Sequence, residues 1–205
     1  MNIPKCSIAL AMLALAGCEN EAARRQPIPI VLQAEKGEAV TLQIPRGYIE
    51  APKHPEGVLP NVILRMAAKD FSGSEVFVPE SEVRMLIEPT TSAADAAHER
   101  QAAALRRSRA SEEAIVKSKE LSKPGLIVYS FPNGREDAEA YYLTSASGDV
   151  FVDCWKSVCK AFKTWQKRVH VRFDYQPVRG SDIQTVDAQV DRMLQSFVSE
   201  SNAAK

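Results

Sequence analysis

The chain of 205 residues has no excess charge of either sign: 26 lysines and arginines stand against 26 aspartates and glutamates. That balance removes the strongly basic field with which proteins hold nucleic acid, and no nucleic-acid partner is expected. Local catalytic signatures are missing as well. There is no G-x-S-x-G, no H-E-x-x-H and no glycine-rich phosphate loop. The histidines, His54, His98 and His170, lie far apart with no ligand pattern around them, and the one S-x-x-K match, Ser157 to Lys160, falls in a turn instead of opening a helix. No catalytic residue, metal or cofactor is therefore expected, and the chain reads as a non-enzyme. Beyond residue 18 no apolar run approaches the roughly 20 residues that a membrane-spanning helix needs. Cysteine is scarce, at four residues: Cys6, Cys18, Cys154 and Cys159.

The start of the chain is informative. Lys5 precedes an apolar run from Ile8 to Ala16, too short to cross the roughly 30 Å hydrocarbon core as a helix and suited to the core of an export signal. The run ends Leu15-Ala16-Gly17-Cys18, which closely resembles the lipobox of bacterial lipoproteins. The resemblance implies that residues 1–17 are a signal peptide, that the Cys18 thiol is lipidated, and that fatty-acyl chains such as palmitate anchor the protein in a membrane. Each buried methylene contributes about 0.8 kcal/mol, so two or three chains make attachment effectively permanent. Glu19 and Asn20 follow, without the aspartate associated with inner-membrane retention, and the expected location is the periplasmic side of the outer membrane. An ordinary secretory signal cut near Ala16 would leave Cys18 as a thiol in the same compartment.

With Cys6 removed and Cys18 acylated, Cys154 and Cys159 are left together in an oxidising compartment, where a disulfide is the default. The residues between them, Trp155 to Val158, fit a tight turn that sets the cysteines opposite each other across a hairpin. Such a small ring should stabilise at the low end of the usual ~2–4 kcal/mol. A metal site would have to recruit Asp153 and the distant His170.

Residues 18–38 are polar and broken by Pro27 and Pro29, and read as a tether to a single periplasmic domain over 39–200. Alternation of apolar and polar residues predicts strands at Val40–Ile44, Asn61–Ala67 and Glu82–Ile87. Residues 92–121, rich in alanine and charge and free of proline and glycine, predict a surface helix with a thin apolar stripe. Its Arg100, Arg106, Arg107 and Arg109 are interleaved with Glu99, Glu112 and Glu113 and read as a solvated face. From residue 126 a meander follows: Leu126–Phe131, Ala140–Ser145, Val150–Cys154, Lys160–Lys163 and Arg168–Tyr175, with His170 on the polar side of the last strand. Ile183, Val186, Val190, Met193, Leu194 and Phe197 then keep helical spacing behind a cap at Ser181 or Asp182. The expected class is α+β, a mostly antiparallel sheet with a C-terminal amphipathic helix.

The stretch from Val40 to Phe71, with Ile44-Pro45-Arg46-Gly47-Tyr48-Ile49 at its centre and Ala67-Ala68-Lys69-Asp70-Phe71 at its end, resembles the start of small periplasmic lipoproteins that serve as immunity partners of type VI secretion effectors, notably the phospholipase toxins. The resemblance implies a tethered cap that occludes a toxin entering the periplasm, and it carries over no inhibitory residue. The expected function is therefore binding of a protein partner, with an envelope-biogenesis or lipid- or small-molecule-carrying lipoprotein as the alternative. Aromatic anchors in turn-rich stretches, Tyr48, Phe71, Phe77 and Trp155, are the candidate contact residues, with core packing as their other use. An immunity protein should expose an acidic or apolar patch, whereas a carrier should enclose an apolar cavity of some hundreds of Å³.

Overall fold

Strict alternation builds the centre of the molecule. A computed structural model describes residues 22–34, 38–67, 73, 82–90, 95–108, 124–130, 138–155, 158–175 and 183–198. Eight strands form one sheet in the order β3 (Ile49–Ala51), β5 (Val62–Ala67), β6 (Glu82–Pro89), β11 (Val169–Tyr175), β10 (Val158–Trp165), β9 (Val150–Trp155), β8 (Ala138–Leu143), β7 (Leu126–Ser130), with antiparallel neighbours throughout. The fold is α+β, as the alternation and the final helix predict.

Register gives this sheet two unlike faces, because side chains alternate along each strand and every aligned pair shares a side. Leu64, Met85, Phe173, Ala161 and Val152 align across five strands on one face. All are buried, and the helix α2 (Ile183–Phe197) and a small second sheet pack over them. The small sheet runs β2 (Val40–Pro45), β1 (Pro27–Leu32), β4 (Val58–Leu59), antiparallel between β1 and β2 and parallel between β1 and β4. It contributes Ile30, Leu32, Leu42 and Ile44 to the same core.

The placement of β1 corrects the reading of residues 18–38 as a tether. Residues 27–32 form the central strand of the small sheet, and Ile28, Ile30 and Leu32 alternate toward the core. Pro27 and Pro29 interrupt the apolar run without breaking the strand. Proline is tolerated in a strand where its missing donor faces an open edge, and β4 pairs β1 only at Val31 and Leu32.

The opposite face is half covered. The helix α1 (Ala96–Ser108) lies over β9 and β10, burying Ala97 and Ala104 against Tyr129, Ala140, Tyr142 and Phe151. The rest of the predicted 92–121 helix lies outside the described residues. At the end of the β8–β9 hairpin the backbone is pressed onto β10: Gly148 has φ +130°, and a Cβ there would stand 2.0 Å from the Thr164 carbonyl oxygen. Only glycine meets both conditions.

Cys154 and Cys159 are aligned across the β9–β10 hairpin and bonded, with Cα atoms 4.0 Å apart. The strands pair as far as Trp155 and Val158, so the connection is two residues shorter than the four-residue turn that the spacing predicts.

Candidate functional site

The half-covered face carries the chemistry. Cross-strand register sets Asp153, Lys160, Asp174, Arg84 and Arg65 in one row from β9 to β5, and Phe151, Phe162, Arg172, Leu86 and Ile63 in the next. These are the outward positions of strands whose alternate residues are core, so each row is a direct product of the pleat.

How α1 sits decides which part of the rows stays open. Its apolar stripe is two alanines and the partly buried Leu105, too little to hold a helix by burial alone. Polar contacts complete the attachment. Asp95 caps the helix, accepting a hydrogen bond from the Ala97 amide at 2.8 Å, while the Ala96 amide donates to Thr164 Oγ1 at 2.7 Å. Gln101 donates to the Tyr129 hydroxyl at 2.6 Å. Tyr142 donates to Asp149 at 2.6 Å, and its oxygen lies 3.1 Å from the His98 ring. Burial first, and then the Asp149 carboxylate, push the Tyr142 hydroxyl well above the ordinary phenol range, so it acts as a donor and not as a base. Thr164 Oγ1 also contacts His170 Nδ1 at 3.0 Å, which places His170 on the polar side of β11 as its sequence position predicts. His54 is exposed on a separate loop.

Held in this way, α1 projects Arg100 over the sheet, its guanidinium carbon 4.4 Å from the centre of the Phe162 ring. Between Arg100 and the strands lies a cleft of about 330 Å³ lined by Phe151, Asp153, Lys160, Phe162, Arg172 and Asp174. A smaller cleft of about 130 Å³, lined by Ile63, Arg84, Leu86, Arg172 and Asp174, adjoins it toward β5. Arg172 and Asp174 belong to both.

The charges on this face divide into two sets. Arg65 and Arg84 are engaged with Glu50, at 3.1 and 3.0 Å. The side chains of Asp153, Lys160, Arg172 and Asp174 make no hydrogen bond or ion pair among the described residues. The Oδ1 atom of Asp174 is buried and has no partner. Such an atom costs free energy as it stands and calls for an explanation. The strands offer two acceptors and two donors beside the half-buried Phe162, and Arg100 of α1 adds a third cation to the cleft lining.

The residues predicted as contact anchors are not brought together here. Tyr48 is half-buried, its ring edge-on to Phe197 of α2 with centroids 5.4 Å apart, and its aromatic surface is used in core packing. Phe71 and Phe77 lie outside the described residues, as does Cys18. Trp155 ends β9 beside the disulfide, and its side chain is outside the described set. The cleft instead uses Lys160, Arg172 and Asp174, which the sequence reading leaves as strand surface, together with Asp153, there considered as a metal ligand, and Arg100, there read as solvated. Arg172 and Asp174 did carry one signal, as the outward partners of Val171 and Phe173. Among the described residues no group of three or more His, Cys, Asp or Glu could hold a metal, and no helix is long and apolar enough to cross a membrane.

No family model, no curated protein and no solved structure matches the chain.

Proposed function

We propose that this is a lipid-anchored, periplasm-facing lipoprotein of the outer membrane that binds a protein partner through the open face beside α1. The partner on this reading is an incoming type VI secretion effector of the lipase type, which the protein neutralises as a non-enzymatic cap. One observation carries the partner-binding part: the side chains of Asp153, Lys160, Arg172 and Asp174 converge on one cleft with no partner among the described residues. Charges held on paired strands without partners among the described residues, Lys160 and Arg172 exposed and Asp153 and Asp174 half-buried, are placed to meet a complementary surface. The anchor rests on Leu15-Ala16-Gly17-Cys18, and the immunity role on the resemblance of residues 40–71. The cleft is charged, neither the acidic nor the apolar patch expected from the sequence, and it also differs from the apolar cavity that a lipid carrier would need.

A strain lacking the protein should lose survival only against sister cells armed with the cognate effector. The Cys18→Ala chain should leave the membrane fraction and take up no palmitate analogue. Equal survival of deletion and parent strains overturns the immunity role; a purified protein that carries bound lipid supports the carrier alternative.

A further inference from the structure

We propose that the cleft receives an extended segment of a protein partner in which a cationic and an acidic side chain stand close together, the cation entering toward Asp174 and Asp153 and the acid pairing with Arg172 and Lys160. The proposal rests on the reading of this face as a protein-binding surface and names the chemistry of the occupant.

The unpaired Oδ1 of Asp174 requires a donor, and the cations among the described residues do not supply it. By register the neighbours of Asp174 are Arg84 and Lys160. Arg84 is committed to Glu50, and Lys160 makes no ion pair among the described residues. An occupant of one sign fits poorly. A phosphate or acidic peptide would meet Arg172, Lys160 and Arg100 but bring negative charge against two carboxylates and leave the Asp174 Oδ1 without a donor, and a purely basic segment would stand against those three cations. A group of each sign satisfies the four charges on the strands, while the half-buried Phe162 provides apolar surface for the aliphatic stem of an arginine or lysine.

Size points to a segment of chain over a free amino acid. The two clefts join through Arg172 and Asp174 and run from Phe151 on β9 to Ile63 on β5, which is four inter-strand spacings. At about 4.8 Å each that is roughly 19 Å, the length of five or six extended residues.

Three blocked pentapeptides test this by nuclear magnetic resonance titration of the full chain in detergent: acetyl-Ala-Asp-Ala-Arg-Ala-amide, its all-acidic analogue with Asp at both charged positions, and its all-basic analogue with Arg at both. The mixed peptide should bind at least tenfold more tightly than either analogue, with shifts centred on Phe151, Lys160, Phe162 and Asp174. Asp174→Asn and Arg172→Gln should each weaken it tenfold or more, whereas Arg192→Gln, on the exposed side of α2, should not. Arg172 is exposed and unpaired, so its variant reports binding even if Asp174→Asn perturbs folding. No binding of the mixed peptide, equal binding of a single-sign analogue, or binding indifferent to both cleft variants overturns the proposal. Failure of the broader reading looks different: the mixed peptide binds, yet deletion leaves survival against effector-armed sisters unchanged.

Discussion

α2 and α1 cover opposite faces of one sheet by different means. α2 buries Ile183, Val186, Val190, Met193, Leu194 and Phe197 in a single core with the sheet and the small sheet. Each such side chain contributes about 1.5–3 kcal/mol when fully removed from water. α1 buries two alanines and is fastened by a cap, by Thr164, by the Gln101–Tyr129 bond and by the Tyr142–His98 contact. Net contributions of neutral hydrogen bonds are closer to 1 kcal/mol each. Stability is thus concentrated on the apolar face, and the face that carries the cleft is held by separable polar contacts.

Truncation of the apolar face should have the largest effect. Phe197→Ala removes a fully buried ring, packed against Tyr48, and is expected to lower stability by about 4 kcal/mol, read as a drop in the urea midpoint.

The apolar face holds one charged exception, and breaking it should come next. Lys163, fully buried, donates to Asp187 at 2.6 Å and to Asp191 at 2.7 Å, and Ser147 also donates to Asp191. Burial raises the Asp187 carboxyl above its ordinary 3.8, against the pull of Lys163. A raised folded value means that the folded state holds this proton more tightly than the unfolded chain. The contribution of the group is therefore fully present below about pH 3.8 and is lost as pH rises through the folded value. Lys163→Met leaves two acids facing each other beneath α2, and should cost about 3 kcal/mol at neutral pH. The deficit should shrink on acidification, because protonation then replaces the missing cation. Urea unfolding at neutral and mildly acidic pH measures this, and a deficit independent of pH would refute it.

The smallest effect should come from the polar face. Tyr142→Phe removes the donor to Asp149 and the contact with His98, and is expected to cost about 1.5 kcal/mol. The loss should be local: amide exchange across 96–108 should quicken about tenfold while α2 keeps its protection. Equal acceleration in both helices would mean that the two faces open as one unit, and the contrast drawn between them would fail.

How much of this could be read in advance depended on the range of the interaction. The strands at Val40–Ile44, Asn61–Ala67 and Arg168–Tyr175 show their alternation openly, and Ile183 to Phe197 shows its helical spacing. The Cys154–Cys159 pair follows from four intervening residues and a turn. β1 was hidden because prolines normally end strands, and only the short reach of β4 along its edge makes Pro27 and Pro29 harmless. Tyr48 has the composition of an exposed anchor in a turn, and what decides its fate is Phe197, almost 150 positions away. The cleft was hidden for the same reason: Asp153, Lys160, Asp174 and Arg84 become neighbours only once four strands align.

The sequence by itself therefore determined the class, the apolar face, the final helix and the cysteine hairpin, since each follows from spacings within one segment that repeat at the period of its backbone. Tertiary structure alone decided which outward residues share a row, where α1 stops covering them, and that the Oδ1 atom of Asp174 is buried with no partner among the described residues. Register and helix docking are set by contacts between segments tens to more than a hundred residues apart, and no local period records them.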